Sequence, residues 1–257
     1  MLIESTAHLP VSFAMLDSVF KTPSGDELAH ILIRWLHFVA GITWIGMLYF
    51  FNLVNVPLQK KLDADTKKKV NPDLLLPALW FFRWGALVTV LAGLTYFAMY
   101  ILKSDAAHAD QNVWVVLIEW LAYPIVLFLV EFLIIKKVPA LIKDGRVFAI
   151  VMFIIVAVVT WGIVSFFSAR FPFSPSPNRS FSIGVGGAYG LVMLLNVWGI
   201  IWPANKRIIG ALQGGPPADA SLARQAFIAS RTNTWLSLPM LLFMAASSHD
   251  WLIFSGR

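Results

Sequence analysis

Six apolar segments, each about twenty residues or longer, constrain the fold of this chain more than any other feature of its sequence. A helix of roughly 20 residues is needed to cross a hydrocarbon core about 30 Å thick, and each segment reaches that length. Charged residues make up only 13% of the chain, too few to cover the surface of a water-soluble domain. We therefore expect an all-α, polytopic membrane bundle of about six transmembrane helices. The predicted spans are 30–54, 76–102, 113–135, 147–168, 183–204 and 234–254.

Lysine and arginine are concentrated in alternate connections between these spans. The first, third and fifth connections hold most of them: Lys60, Lys61, Lys67, Lys68, Lys69, Lys136, Lys137, Lys143, Arg146, Lys206, Arg207, Arg224 and Arg231. The other connections and the two ends hold Lys21, Lys103, Arg170, Arg179 and Arg257. Because basic connections stay on the cytoplasmic side, this alternation predicts that both termini lie outside. The net charge of +6 is then a topology signal, and no concentrated basic patch remains for a nucleic-acid partner.

The chain contains no cysteine, which excludes several redox centres. Thiolate metal sites, iron–sulfur clusters and covalent c-type haem all require that residue. Residues 1–29 are expected to form an extracytoplasmic N-terminal segment with a short interfacial helix, because their apolar stretch is too short for a signal peptide. Residues 30–257 are expected to form the six-span membrane domain.

Ionisable side chains within the spans are the candidates for function, since each costs about 2.5–3.5 kcal/mol at the bilayer centre. His37 and His249 are predicted at similar depths on different helices, and two such imidazoles can ligate the iron of a b-type haem. Trp44, seven residues from His37, and Arg34 are the other candidate haem-binding residues. The polar residues predicted toward the outer side of the membrane are called the outer layer. They are His30, Arg34, His37, Glu119, His249 and Asp250.

Structural roles compete with these functional ones. His30 and His249 lie near predicted helix ends, where histidine is commonly interfacial, and Arg34 can extend toward the outer headgroups. Glu119 can form a bridge across helices with Arg34 or a histidine. Trp44 can fill the bundle interior as readily as it can stack on a macrocycle.

A second group of polar residues, called the inner layer, is predicted toward the cytoplasm. Arg83 and Glu131 fall at similar depth, where they form either a buried ion pair or part of a pocket in which Arg83 holds an anionic or planar ligand. Arg83, Glu131 and Asn196 are the candidate catalytic residues. Glycines at 186 and 190 predict a close helix approach nearby. The inner layer comprises Asn52, Arg83, Glu131, Asn196, Arg231 and Asn233.

Four stretches of this chain, taken in order, resemble the membrane-embedded N-terminal domain of the bacterial membrane-bound urate oxidase (urate hydroxylase) family. They are Arg34–Asn52, Ala78–Ala86, Asn196–Lys206 and Ser230–Met244. The first stretch alone also resembles copper-resistance membrane proteins and a haem-binding protoporphyrinogen oxidase. The resemblance implies a multi-pass protein of the bacterial inner membrane related to urate oxidation. Family members continue into a C-terminal cytochrome c domain, which this sequence lacks.

Three functions follow as expectations. The first is a membrane redox protein that binds haem b and passes electrons to a separate cytochrome c. The alternative is a non-catalytic accessory subunit of a respiratory or other energy-transducing membrane complex, suggested by the missing cytochrome domain. The third is a transporter for an anionic solute, suggested by Arg34 and Arg83, although the sequence has no inverted repeat or broken helix pair.

Overall fold

The computed structural model describes residues 23–249 and 253–254, and within these ranges the chain forms helices and short turns but no strand. The interfacial helix predicted near the N-terminus lies outside the described residues. The described helices, in chain order, are α1 (Gly25–Lys61), α2 (Ala64–His108), α3 (Val113–Lys137), α4 (Pro139–Lys143), α5 (Gly145–Arg170), α6 (Pro177–Leu212) and α7 (Ala220–Ala246).

Five of these helices, α1, α2, α3, α5 and α6, are long and apolar enough to cross a membrane. They contain the first five predicted spans, so the all-helical, multi-pass membrane bundle is confirmed. The sixth predicted span, 234–254, overlaps α7, which ends at Ala246 and is not among the five. With 27 residues α7 extends about 40 Å, so its polar composition and not its length distinguishes it.

Short polar side chains begin most of the helices. At the start of α1, Ser24 and Glu27 each accept a hydrogen bond from the other's backbone N–H, at 3.3 and 2.8 Å. Asp63 accepts from the backbone N–H of Thr66 at 2.9 Å and begins α2. Only two residues separate α1 from α2, so these helices run antiparallel and pack along one another. Equivalent caps at α3, α5 and α7 come from Asn112, Asp144 and Asp219.

Helix α6 lies at the centre of the bundle and contacts α2, α3, α5 and α7. Glycines permit this packing, and of the predicted pair Gly186 and Gly190 only Gly186 takes part in a close approach. A Cβ on Gly184 would overlap the Phe167 ring, and one on Gly186 would lie 3.3 Å from the carbonyl oxygen of Met240. Gly190 has open space beside it, so the close approach depends on the two earlier glycines.

Three helices contain a π-helical segment: Phe50–Asn55 in α1, Phe97–Leu102 in α2 and Val197–Ile201 in α6. A proline follows the first and the third, at Pro57 and Pro203. Proline cannot donate to the carbonyl four residues earlier, which favours an irregular turn at that point. The two proline-associated segments contain or adjoin the inner-layer asparagines Asn52 and Asn196, so the irregular turns and the buried amides occupy the same part of the bundle.

Candidate functional site

The outer layer is organised around Tyr96 of α2, which contacts side chains from α1 and α6. Its hydroxyl lies 2.7 Å from Nε2 of His30 and accepts a hydrogen bond from Arg179 at 3.2 Å. The guanidinium carbon of Arg34 lies 5.8 Å from the centre of the Tyr96 ring. The His30 ring also stacks on Tyr100, with ring centres 4.4 Å apart. Two arginines and a histidine therefore converge at one end of the bundle.

His37 is half-buried against α2 and has one ring nitrogen in a fixed hydrogen bond. Its Nδ1 lies 2.8 Å from the carbonyl oxygen of Thr89, and a carbonyl can only accept, so Nδ1 carries the hydrogen. Nε2 then presents its lone pair. The imidazole occupies space left by Gly93, where a Cβ would lie 2.7 Å from Cε1 of His37. The lone pair on Nε2 of His37 can therefore accept a hydrogen bond or ligate a metal.

His249 and Trp44 occupy very different environments. His249 is exposed beyond the end of α7, with Nδ1 lying 3.0 Å from the carbonyl oxygen of Ala245. Trp44 is only 1% exposed and packs in the core, and its ring N–H has no hydrogen-bond partner among the described residues. A hydrogen bond of 3.0 Å between Tyr49 and Ser237 sets the register of α1 against α7.

The two histidines are equally far in sequence from this hydrogen bond. His37 precedes Tyr49 on α1 by as many residues as His249 follows Ser237 on α7. Because the two helices run in opposite directions, both histidines lie on the same side of the Tyr49–Ser237 bond, His37 within α1 and His249 beyond the end of α7. Asp250, the last residue assigned to the outer layer, lies outside the described residues.

Glu119 has a different partner from those expected. Its carboxylate pairs with the guanidinium of Arg170 on α5, with N–O distances of 2.6 Å to both oxygens. The two side chains are 38% and 37% exposed. The expected bridge to Arg34 or a histidine is therefore wrong, because α3 faces α5 at this height and Arg34 instead lies over Tyr96.

The inner layer contains a fully buried group of side chains from α3, α6 and α7, called the amide–carboxyl triad: Glu131, Asn196 and Asn233. All three are 0% exposed. The side-chain N–H₂ of Asn196 donates to Oε2 of Glu131 and to Oδ1 of Asn233, each at 2.9 Å. Asn233 in turn donates to the backbone carbonyl of Met193, also at 2.9 Å. Three helices that are distant in sequence are thus joined by polar contacts sealed from solvent.

Arg83 is surrounded by indole rings and is not paired with Glu131. Its guanidinium carbon lies 3.8 Å from the centre of the Trp202 ring, 5.7 Å from that of Trp198 and 5.8 Å from that of Trp84. The expected buried pair with Glu131 is wrong, since Glu131 bonds to Asn196 and Arg83 faces α6. The three indoles and Arg83 are called the tryptophan cage, in which the half-buried cation is stabilised by aromatic faces.

The remaining inner-layer residues support helix packing. Asn52 donates to the hydroxyl of Ser230 at 2.9 Å and to the backbone carbonyl of Leu48 at 3.0 Å, and so joins α1 to α7. Arg231 lies over the ring of Phe227, one turn earlier on α7, at 5.3 Å. Together with Ser237, these contacts explain why α7 is polar over much of its length and still belongs to the bundle.

A comparison with protein families identifies the chain. The family described as "Urate oxidase N-terminal" matches residues 24–71 and 64–257. The chain belongs to the urate oxidase N-terminal family. No curated protein and no solved structure matches it. The match spans both polar layers, so the outer layer, the triad and the tryptophan cage are all features of a urate oxidase-like membrane domain.

The sequence of this urate oxidase N-terminal domain did not point to several residues that build its outer layer. Tyr96 and Tyr100 are common at membrane interfaces, and nothing in their spacing marks them as partners of His30. Arg179 was counted only as a topology signal. The backbone carbonyl of Thr89 carries no residue-specific signal at all.

Chemically, the two layers of this urate oxidase-like domain offer different functions. The outer layer provides imidazole nitrogen from His37 and cationic donors from Arg34 and Arg179, a set that suits a metal centre with acidic substituents. The tryptophan cage suits a flat anion. The triad provides only oxygen and amide groups without access to solvent, so it can hold a proton or strengthen the bundle but cannot contact a large ligand.

Proposed function

We propose that this urate oxidase N-terminal family protein is a redox protein of the bacterial inner membrane that binds haem b and passes electrons to a separate cytochrome c. The observation that carries the proposal is the hydrogen bond from Nδ1 of His37 to the carbonyl of Thr89. Histidines that ligate metals typically donate the other ring N–H to a carbonyl or carboxylate, which fixes the ring and its tautomer. Family membership supplies the redox context.

The side chains of the outer layer fit a haem by their chemistry. His37 and His249 would hold the iron, and Arg34 would pair with a propionate. The buried ring N–H of Trp44, which has no partner among the described residues, is a further donor on the same helix as His37. A haem with two imidazole ligands supplies one-electron transfer when bound. The protein's own part is to orient His37 through Thr89 and to leave room for its ring at Gly93.

The tryptophan cage is proposed as the site for the small anionic reductant, urate or a molecule of similar shape. A guanidinium flanked by indoles offers a flat surface and a fork of N–H donors, and both suit a planar anion. Nε of Arg83 is buried and has no hydrogen-bond partner among the described residues, so its N–H is available to donate to a bound anion. Of the candidate catalytic residues, Arg83 is thus the one that would contact substrate, while Glu131 and Asn196 are sealed from it.

The test is an optical spectrum of the protein purified from membranes, recorded oxidised and chemically reduced. We expect a Soret band in the wild type and its loss in His37→Ala. The matched control is His108→Ala, because His108 makes the same kind of Nδ1-to-carbonyl bond, 2.8 Å to Ser104, on an exposed surface. That variant keeps the band and keeps urate-dependent reduction of added cytochrome c.

Two results would contradict the proposal: a colourless wild-type preparation, or a His37→Ala variant with undiminished haem. A colourless protein that purifies in fixed ratio with other membrane subunits would instead favour the accessory-subunit alternative. Loss of urate-dependent reduction in Arg83→Gln with the Soret band intact would separate the substrate site from the haem site.

A further inference from the structure

The carboxyl group of Glu131 is fully buried in the bundle and forms no ion pair with the part of the chain that the structure describes. Within the described ranges, no Lys, Arg or His nitrogen lies within 4.0 Å of either of its oxygens. Its hydrogen-bond partner among the described side chains is the amide of Asn196. An isolated carboxylate in an apolar interior costs far more free energy than a neutral acid, so such a group usually takes up a proton.

The hydrogen-bond directions in the triad can be followed from a fixed starting point. The backbone carbonyl of Met193 can only accept, so the N–H₂ of Asn233 must face it and Oδ1 of Asn233 must face Asn196. Asn196 must then direct its own N–H₂ toward Asn233 and Glu131. Both N–H bonds of Asn196 are therefore used, and its Oδ1 is left as an acceptor.

Two buried oxygens remain without a hydrogen-bond partner in this group: Oε1 of Glu131 and Oδ1 of Asn196. If Glu131 were ionised, both would be acceptors and neither could satisfy the other. One hydrogen on the carboxyl group changes this, because an acid and an amide can pair through one O–H and one N–H bond. The buried oxygens thus require a single additional hydrogen.

The hydroxyl of Thr232 on α7 is bonded within its own helix, where it donates to the carbonyl of Ile228 at 3.1 Å. Among the described residues, the side-chain donor that bonds the Glu131 carboxyl group is therefore the N–H₂ of Asn196.

We propose that Glu131 is a neutral carboxylic acid that binds one proton inside the bundle, with Oδ1 of Asn196 as the acceptor. The site takes a proton as its ligand, and it is formed by side chains from α3, α6 and α7. It does not depend on haem or on the tryptophan cage, so it stands whether or not the redox function does. Ionisable groups enclosed in a membrane bundle are typical of proton pathways, and Glu131 is the only acid of the inner layer.

Infrared spectroscopy tests the protonation state directly. The wild-type protein at neutral pH, in a detergent without ester groups, is expected to show the carbonyl stretch of a protonated carboxylic acid. Glu131→Gln removes that band completely, and it folds because glutamine's amide reproduces the two-point pair with Asn196. The matched control is Glu119→Gln on the same helix, where the carboxylate is ion-paired with Arg170, and it leaves the band unchanged.

A second measurement needs no substitution. Wild-type protein grown with ¹³C-carboxyl-labelled glutamate is expected to show the same band shifted to lower frequency. The proposal would be overturned if the wild-type spectrum had no acid band, or if its acid band remained in Glu131→Gln. So would an acid band that the glutamate label fails to move. Either result would mean that Glu131 does not hold the proton.

Discussion

The outer layer and the amide–carboxyl triad show two ways of placing polar side chains in one membrane bundle. In the outer layer, Arg34 and Arg179 keep their charges at partly exposed positions and share Tyr96 as a common contact. In the triad every group is 0% exposed, no cation takes part and each hydrogen-bond direction is fixed by the next. Charge is tolerated where headgroups and water can reach, while a charge at an enclosed position costs much more free energy.

The largest expected effect comes from breaking the triad at its centre. Asn196→Leu leaves Glu131 and Asn233 each without its donor, and buried polar groups without partners cost about 1–3 kcal/mol apiece. We expect a loss of about 2–5 kcal/mol in the free energy of unfolding, seen as a large drop in the thermal midpoint in detergent.

The matched control for that change is Asn205→Leu on the same helix. Asn205 is half-buried and donates only to the carbonyl of Ile201, one turn earlier, at 2.8 Å. Its removal strands no partner on another helix, so the thermal midpoint is expected to move little. Equal losses in the two variants would mean that the triad contributes nothing beyond an ordinary helix-surface amide.

The sequence predicted the bundle well because the membrane requirement is one of length and composition. An apolar run of about 20 residues is visible without knowing its neighbours, and the first five spans were predicted on that basis. Helix α7 departs from the rule because its polar residues, Thr232 and Asn233 among them, face other helices and not lipid. Burial inside a bundle depends on helix rotation, which a hydropathy pattern does not contain.

The pairing of polar groups was much less predictable than their presence. Arg83 and Glu131 were assigned to the same layer, and opposite charge favoured an ion pair. The structure instead places Arg83 among the indoles of Trp198 and Trp202 on α6, and Glu131 against Asn196 on the same helix. Which partner is chosen depends on where α6 sits between α2 and α3, and the position of a helix among its neighbours cannot be read from the charges in the sequence.

The second prediction tests the space that holds His37 in the outer layer. In Gly93→Ala the new methyl group would lie 2.7 Å from the imidazole, so the ring must leave its bond to the Thr89 carbonyl. Overpacking of this kind costs about 1–3 kcal/mol. We expect a lower thermal midpoint together with loss of any ligand that His37 binds, measured on the same sample by absorbance.

Gly46→Ala is the control for that change, because Gly46 lies on α1 with open space around it. Alanine favours a helix over glycine by roughly 1 kcal/mol, so this variant is expected to be unchanged or slightly stabilised. If Gly93→Ala behaves like Gly46→Ala, the imidazole is free to move and its orientation by Thr89 has no functional meaning.

The third prediction concerns the tryptophan cage. Its cation is half-buried, so its exposure is intermediate between that of the outer layer and that of the triad. Arg83→Leu removes a guanidinium that contacts three indole rings, and cation–π contacts contribute about 0.5–2 kcal/mol. We expect a loss in that range and a shift in tryptophan fluorescence. Arg231→Leu, where the cation faces the single ring of Phe227, is expected to cost less and to leave tryptophan emission unchanged. A larger loss in Arg231→Leu would contradict the cage.

The smallest expected effect is at the ion pair between Glu119 and Arg170. This pair tests whether exposed charges contribute less to stability than the enclosed polar groups of the triad. Both side chains are more than a third exposed, so solvent and salt screen the pair despite its 2.6 Å distance. Exposed pairs contribute about 0–1 kcal/mol. A double-mutant cycle with Glu119→Gln and Arg170→Gln is expected to give a coupling energy within that range, which falls further in high salt. A coupling of several kcal/mol, insensitive to salt, would mean that this pair is as enclosed as the triad. Exposure would then not distinguish the charged groups of the outer layer from the polar groups of the triad.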